Sequence, residues 1–270
     1  MYITNSIEVA QIAEAAGVDR IFVDMEYIGK ADRQGGMDTV QSRHTLQDIQ
    51  NVRKNLHTAE LLVRCNPIHD ATESYDSSKD EIDGIIASGA DIIMLPYFKT
   101  AQEVSKFVSF VNGRVKTMLL FETPEAVEQL ETILQIKGVD EVYIGLNDLS
   151  LGYHRKFMFE LLTDGTVEKI CHCFRKSGLP YGFGGIASVG KGMLPAEKII
   201  REHYRLGSTS VILSRSFCNV ETVGDMEEIK QIFQNGVKAI RNVEAECEQH
   251  AAFFWDNQMK LKEAVAHICQ

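Results

Sequence analysis

The chain has 270 residues, enough for one large domain or two small ones and for a sizeable buried core. Its hydrophobic share of 44% and charged share of 24% are ordinary for a globular protein, and its net charge of −10 argues against nucleic acid as the main partner, because phosphates need a basic face. No apolar run approaches the length of a membrane span, and residues 1–6 lack a basic region followed by an apolar one, so neither a membrane partner nor a secretory signal is expected.

Residues 1–4 read as the remnant of a first strand. Residues 7–16 then repeat apolar positions at helical spacing and stop at Gly17. Short apolar, β-branched runs follow at 21–23, 61–63, 92–95, 117–121, 142–144 and 210–213, as expected of parallel strands covered on both faces. The glycine-rich stretch 181–184 fits that pattern less well. Amphipathic helices are predicted at 45–56, 79–88, 101–111 and 124–136. Gly89, Gly113, Gly138, Gly178 and Gly207 stand where C-terminal caps would sit.

This alternation gives about eight βα units, the number that closes a barrel. An open doubly wound sheet is the rival. The barrel is preferred because charged residues end several strands, with no single switch-point cluster. The expectation is an α/β chain forming one (β/α)8 TIM barrel over 1–270, with 221–270 as a C-terminal helical extension. Two stretches, 27–43 and 66–78, exceed ordinary βα loops and follow strands, so both belong to the top face. The tail carries the aromatic knot Phe253-Phe254-Trp255. That knot fits a helix packed on its own barrel or one docked on another subunit, and a homo-oligomer (dimer or hexamer) through this helix is expected.

The six cysteines are scattered, which reads as reduced cytoplasmic thiols rather than a disulfide framework. Cys171-His172-Cys173 lies in a helical stretch and resembles no zinc spacing. Residues 185–192 nearly spell a nucleotide-binding P-loop, but Gly192 stands where Ser or Thr would hold Mg²⁺. A triphosphatase is therefore rejected, although a glycine-rich turn after the seventh strand can still offer N–H groups to an anion.

The residues just past each strand make a coherent set. Asp24 and Glu26 follow the second, Arg64 the third, Glu122 the fifth, and Asn147 with Asp148 the sixth. All converge at the C-terminal mouth of a barrel, where such folds place their chemistry. Glu122 and Asp148 are expected to share one divalent cation, Mg²⁺ or Mn²⁺, because two carboxylates plus water suit a hard cation. N-cap or ion-pair roles are the plainer alternative for each. Arg64 offers a planar fork for a substrate carboxylate, or a salt bridge to Asp24 or Glu26. Asn147 is expected to touch substrate, and the loop after Tyr27 brings Lys30, Arg33 and Gln34 over the mouth.

Taken together, the segments 17–26, 62–64, 89–96, 100–103, 122–126 and 138–150 resemble the HpcH/HpaI aldolase/citrate lyase family of the phosphoenolpyruvate/pyruvate barrel superfamily. Glu122-Thr-Pro and Gly145-Leu-Asn-Asp148-Leu-Ser150 carry most of the likeness. The resemblance implies a (β/α)8 barrel, a divalent metal on Glu122 and Asp148, and Arg64 on a keto acid. It implies cleavage or formation of a carbon–carbon bond beside a pyruvate or acyl-CoA enolate. Asp24 and Glu26 match the family's Asp-x-Glu-His segment, but Tyr27 stands in place of the acid–base histidine. An ordinary tyrosine ionises near pH ~10, so Tyr27 is a poor neutral base, and His44 is the other candidate. The expectation is a metal-dependent class II pyruvate-type aldolase acting on a 2-oxo acid through a metal-stabilised enolate. A citramalyl- or malyl-CoA type acyl-CoA lyase and a keto-acid-binding protein without turnover are the alternatives.

Overall fold

The computed structural model describes residues 1–30, 42–249 and 253–270. Eight parallel strands close in sequence order: β1 (Tyr2–Ile3), β2 (Arg20–Asp24), β3 (Glu60–Arg64), β4 (Ile92–Leu95), β5 (Lys116–Phe121), β6 (Glu141–Ile144), β7 (Tyr181–Ile186) and β8 (Ser210–Leu213). β1 seals the ring, with Tyr2 in register with Ile21 of β2 and with Leu213 of β8. The chain is a (β/α)8 barrel, and the open sheet is set aside.

The strands are apolar on both faces because each buries both. Phe22, Leu62, Met94, Met118 and Tyr143 fill the barrel interior, while Ile21, Val23, Leu61 and Val63 pack in the outer core. β7 is glycine-rich for a steric reason. A Cβ at Gly182 would lie 2.3 Å from the Ser210 carbonyl oxygen and 2.4 Å from the Tyr143 ring. The β7–β8 register shifts between Gly182 and Gly185, and Tyr143 bridges that irregularity. Its hydroxyl donates to the Gly184 carbonyl at 2.7 Å and accepts from the Ile212 N–H at 2.9 Å.

The first helices are α1 (Ile7–Ala15), α2 (Leu46–Asn55), α3 (Ser78–Ala87) and α4 (Ala101–Val111). α2 and α4 each start in a capping box, Thr45 with Asp48 and Thr100 with Glu103. The predicted helix over 124–136 is instead two pieces, α5 (Pro124–Glu128) and α6 (Leu130–Ile133), broken at Gln129. The Gln129 side chain is drawn to α4, accepting from the Ala101 N–H and donating to the Lys99 carbonyl.

α7 (Leu146–Gly152), α8 (Glu160–Thr163), α9 (Thr166–Ser177) and α10 (Ala196–Leu206) follow. The tail forms α11 (Val220–Val223), α12 (Met226–Gln249) and α13 (Phe253–Ile268). α12 lays Ile229, Phe233, Val237, Ile240 and Val243 against the chain's own barrel, packing on α1 and α10. α13 packs on α8 and α10, and its buried Asn257 donates to the Lys198 carbonyl and to Glu202. Trp255 of α13 nevertheless stays 71% exposed and Met259 48%. All six cysteines are free, with Cys171 buried in α9, and no described helix is long and apolar enough to cross a membrane.

Candidate active site

Asp24 closes β2 and Arg64 closes β3, in register with each other across the ladder. Their side chains meet in a two-pronged ion pair, Arg64 Nε to Asp24 Oδ1 at 2.8 Å and Nη2 to Oδ2 at 2.7 Å. Nη1 lies 3.4 Å from Glu26 Oε2, and the guanidinium sits over the Phe22 ring. The Arg64 fork is therefore engaged by Asp24, the salt-bridge alternative of the sequence reading, while Arg64 still lines the mouth.

Lys30 is a correction to the sequence reading. It does not reach over the mouth for a substrate but is buried beneath it, with Nζ 2.9 Å from Asp24 and 3.5 Å from Glu26. Two buried carboxylates draw it inward, since each needs a partner. Two acids and two cations thus balance within one buried quartet. Burial opposes the charged form of Asp24, but Arg64 and Lys30 outweigh it and hold its carboxyl far below the usual range. Arg33 and Gln34, expected to bind substrate, lie outside the described residues.

Glu122 follows β5 and is 5% exposed. Its Oε1 accepts from the Tyr97 N–H at 2.9 Å. Tyr97 has φ 47°, a left-handed conformation that a bulky residue adopts at a cost, and it aims this N–H at the carboxylate. Gly145, between β6 and α7, leaves room for the acid, because a Cβ there would sit 2.6 Å from Glu122 Oε2. Burial pushes the Glu122 carboxyl well above its ordinary value, and Glu26 and Asp148 push the same way. Asp148 lies in the first turn of α7 and is 7% exposed, and Asn147 Nδ2 stands 3.3 Å from its Oδ1.

Asp24, His44, Arg64, Glu122, Asn147 and Asp148 line one cavity of about 490 Å³ at the C-terminal mouth of the barrel. Glu26 is buried behind that wall, 1% exposed. A larger cavity of about 730 Å³ lies at the opposite end, between the starts of the strands and α12. There Arg20 is already shared between Glu60 and Glu141, and Asp24, Arg64, Glu122, Asn147 and Asp148 do not line it. The mouth cavity, where the chemistry-bearing side chains converge, is the candidate site.

Two bases were considered from sequence, and the structure separates them. Tyr27 is 51% exposed and does not line the cavity. Asn66 turns the chain away there, its Oδ1 accepting from the N–H groups of both Tyr27 and Ile28 at 2.9 Å. Burial raises the Tyr27 hydroxyl's pKa, and Glu81, Tyr75 and Asp76 raise it further, which disfavours a phenolate. Tyr27→Phe is accordingly expected to keep turnover within about twofold of wild type at all pH values. A loss of the alkaline limb of the rate profile in that variant would restore Tyr27 to the chemistry.

His44 does line the cavity. Its Nδ1 is 2.9 Å from the Asp24 N–H, which can only donate, so Nδ1 carries a lone pair and the neutral ring bears its proton on Nε2. Burial lowers its pKa and keeps it neutral, with Lys30 helping against Asp24 and Asp48. The ring is thus a fixed N–H donor rather than a ready base.

Missed from sequence were Asn66 and Tyr97, one holding the Tyr27 and Ile28 amides and the other an amide on Glu122. Neither type signals such a role; only the Pro96-Tyr97 step after β4 hints at a forced turn.

The sequence model of the HpcH/HpaI aldolase/citrate lyase family matches residues 2–189. The chain belongs to this family. Among solved structures it is similar to a HpcH/HpaI aldolase/citrate lyase family protein from Burkholderia cenocepacia J2315, at 15% identity, TM-score 0.63, covering 85% of this chain and 94% of that one. A HpcH/HpaI aldolase from Desulfitobacterium hafniense DCB-2 gives 16% identity, TM-score 0.60, and 85% and 91% coverage. The citrate synthase SbnG gives 14%, 0.60, and 86% and 92%. At these identities the likeness speaks for the fold. No curated protein matches the chain. Family membership points to a lyase.

Do the residues present suit the divalent cation general to this family? Among the described residues no three His, Cys, Asp or Glu side chains gather around one point, so a cation here would rest on two carboxylates with water or substrate oxygens. That set suits Mg²⁺ or Mn²⁺ and not zinc. A carboxyl raised by burial and then by its acidic neighbours is also a group that a bound cation would relieve. The residues fit.

Proposed function

We propose that this chain is a divalent-metal-dependent carbon–carbon lyase that cleaves or forms 4-hydroxy-2-oxo acids, with pyruvate or a close relative as one product. The observation that carries the reading is the pair of buried carboxylates, Glu122 and Asp148, lining one cavity at the mouth of a barrel of this family. When bound, the cation would neutralise negative charge gathering on the keto acid's oxygens. Glu122 and Asp148 would hold it. Arg64 supplies a positive charge fixed in place by Asp24, and Asn147 offers polar contact at the wall. His44 donates its Nε2–H to a substrate oxygen, most usefully the aldehyde oxygen as the new bond forms. A homo-oligomer through α13 belongs to the same reading, supported by Trp255 and Met259 exposed one turn apart.

Steady-state turnover on a panel of 4-hydroxy-2-oxo acids, with Mg²⁺ or Mn²⁺ and after chelation, tests the reaction. Metal-dependent release of pyruvate is expected. Turnover of citramalyl-CoA with none of the free acids would replace this reading with an acyl-CoA lyase.

The His44 role has its own test. His44→Gln preserves an acceptor for the Asp24 N–H and a donor toward the cavity, whereas His44→Ala preserves neither. Gln is expected to retain at least about ten times the kcat of Ala, without the pH dependence of an imidazole. Equal losses in both variants, with a wild-type limb near neutrality that both abolish, would make His44 a base after all.

A further inference from the structure

Lys30 is buried and does not line the mouth cavity, yet it stands against both acids that pair with Arg64, which does line it. Asp24 Oδ2 accepts from Arg64 Nη2 at 2.7 Å and from Lys30 Nζ at 2.9 Å. Glu26 is held differently. Its Oε2 lies 3.4 Å from Arg64 Nη1 and 3.5 Å from Lys30 Nζ. One carboxylate oxygen thus stands almost equally far from two cations, and neither draws it into close contact. Opposite charges attract strongly where water is scarce, so without Lys30 the acid is pulled toward Nη1. Arg64 then faces a second acid at contact distance, and less of its positive charge reaches a ligand in the cavity.

We propose that Lys30 is a positioning residue of the keto-acid site: it holds Glu26 off Arg64 and so keeps the guanidinium's charge available to the carboxylate of the substrate. The proposal rests on the lyase reading above. It makes the charge of Lys30, and not its packing, the quantity that matters. Lys30→Met takes one positive charge from the group and Glu26→Gln takes one negative, so the double variant carries the same sum as wild type.

The test measures the pyruvate concentration that half-saturates exchange of its methyl protons in D₂O, on the Mg²⁺-loaded full chain, with a melting curve for each variant. Lys30→Met is expected to raise that concentration at least about fivefold, with the limiting rate kept within about threefold. Glu26→Gln is expected to move it the other way, lowering it about twofold or more. The double variant is expected to return within about twofold of wild type. If Lys30→Met does not fold, Glu26→Gln and the double variant carry the test by the same values. A double variant that binds pyruvate as weakly as Lys30→Met, or at least about fivefold more weakly than wild type, overturns the proposal, because lost packing is not rescued by removing an acid. A limiting rate that falls in Lys30→Met while half-saturation stays put overturns it too. If wild type exchanges no protons, the lyase reading fails and the proposal falls with it.

Discussion

Glu122→Gln and Asp148→Asn are each expected to lower metal-dependent turnover by about a thousandfold or more, while the folded state survives. Both substitutions keep size and remove charge. A cation that loses one of two carboxylates loses affinity and position, and losing about 4 kcal/mol of transition-state stabilisation corresponds to that factor. Stability should hold or rise in Glu122→Gln, because burial, Glu26 and Asp148 already penalise the native carboxylate. The measurement is kcat with saturating Mn²⁺, paired with calorimetric Mn²⁺ affinity and a melting curve. Wild-type affinity for Mn²⁺ in both variants would remove these residues from the metal site.

Asp24→Asn is expected to be the most destabilising single change at the mouth. It leaves Arg64 and Lys30 to share Glu26 without their main acidic partner, and breaking a buried pair in this way costs about 3–5 kcal/mol. The sign with pH follows from the depressed Asp24 pKa. Its stabilisation is fully present above the unfolded carboxyl value of ~3.9 and is lost as pH falls from there toward the lower folded value. The gap in stability between wild type and Asp24→Asn should be wide at neutral pH and should narrow on acidification below about pH 4. Equal melting temperatures at neutral pH would mean that the quartet does not hold the mouth together. Activity should fall as well, since Arg64 would lose the partner that orients it.

The fold was legible because parallel strands buried on both faces leave runs with no polar gaps. The runs at 92–95 and 210–213 coincide with β4 and β8, and 61–63 is the centre of β3. β7 was the faintest strand for a reason visible only in three dimensions: Gly182 makes room for Tyr143 and the Ser210 carbonyl, and a glycine reads as a turn. The convergence of Asp24, Arg64, Glu122, Asn147 and Asp148 was readable because strand ends share one face in this fold. Their pairing was legible only as an alternative, a salt bridge from Arg64 to Asp24 or Glu26. Chain order places Arg64 near Asp24, but only the cross-strand register sets the fork square on the carboxylate. Tyr27 shows the same limit. Its place in the motif suggested chemistry, yet hydrogen bonds donated by the Tyr27 and Ile28 N–H groups to Asn66, some forty positions along, accompany a side chain turned out of the cavity.

Proton exchange at the methyl group of pyruvate, followed by NMR in D₂O, tests the central claim most directly because it needs no aldehyde and no knowledge of the natural substrate. Wild-type protein with Mg²⁺ is expected to exchange these protons well above the buffer rate. Chelation with EDTA, or the Glu122→Gln substitution, is expected to return the rate to that of buffer. Exchange that persists undiminished in EDTA and in Glu122→Gln, or its absence in wild type with Mg²⁺ and Mn²⁺ alike, would contradict a metal-dependent 2-oxo acid lyase at this site.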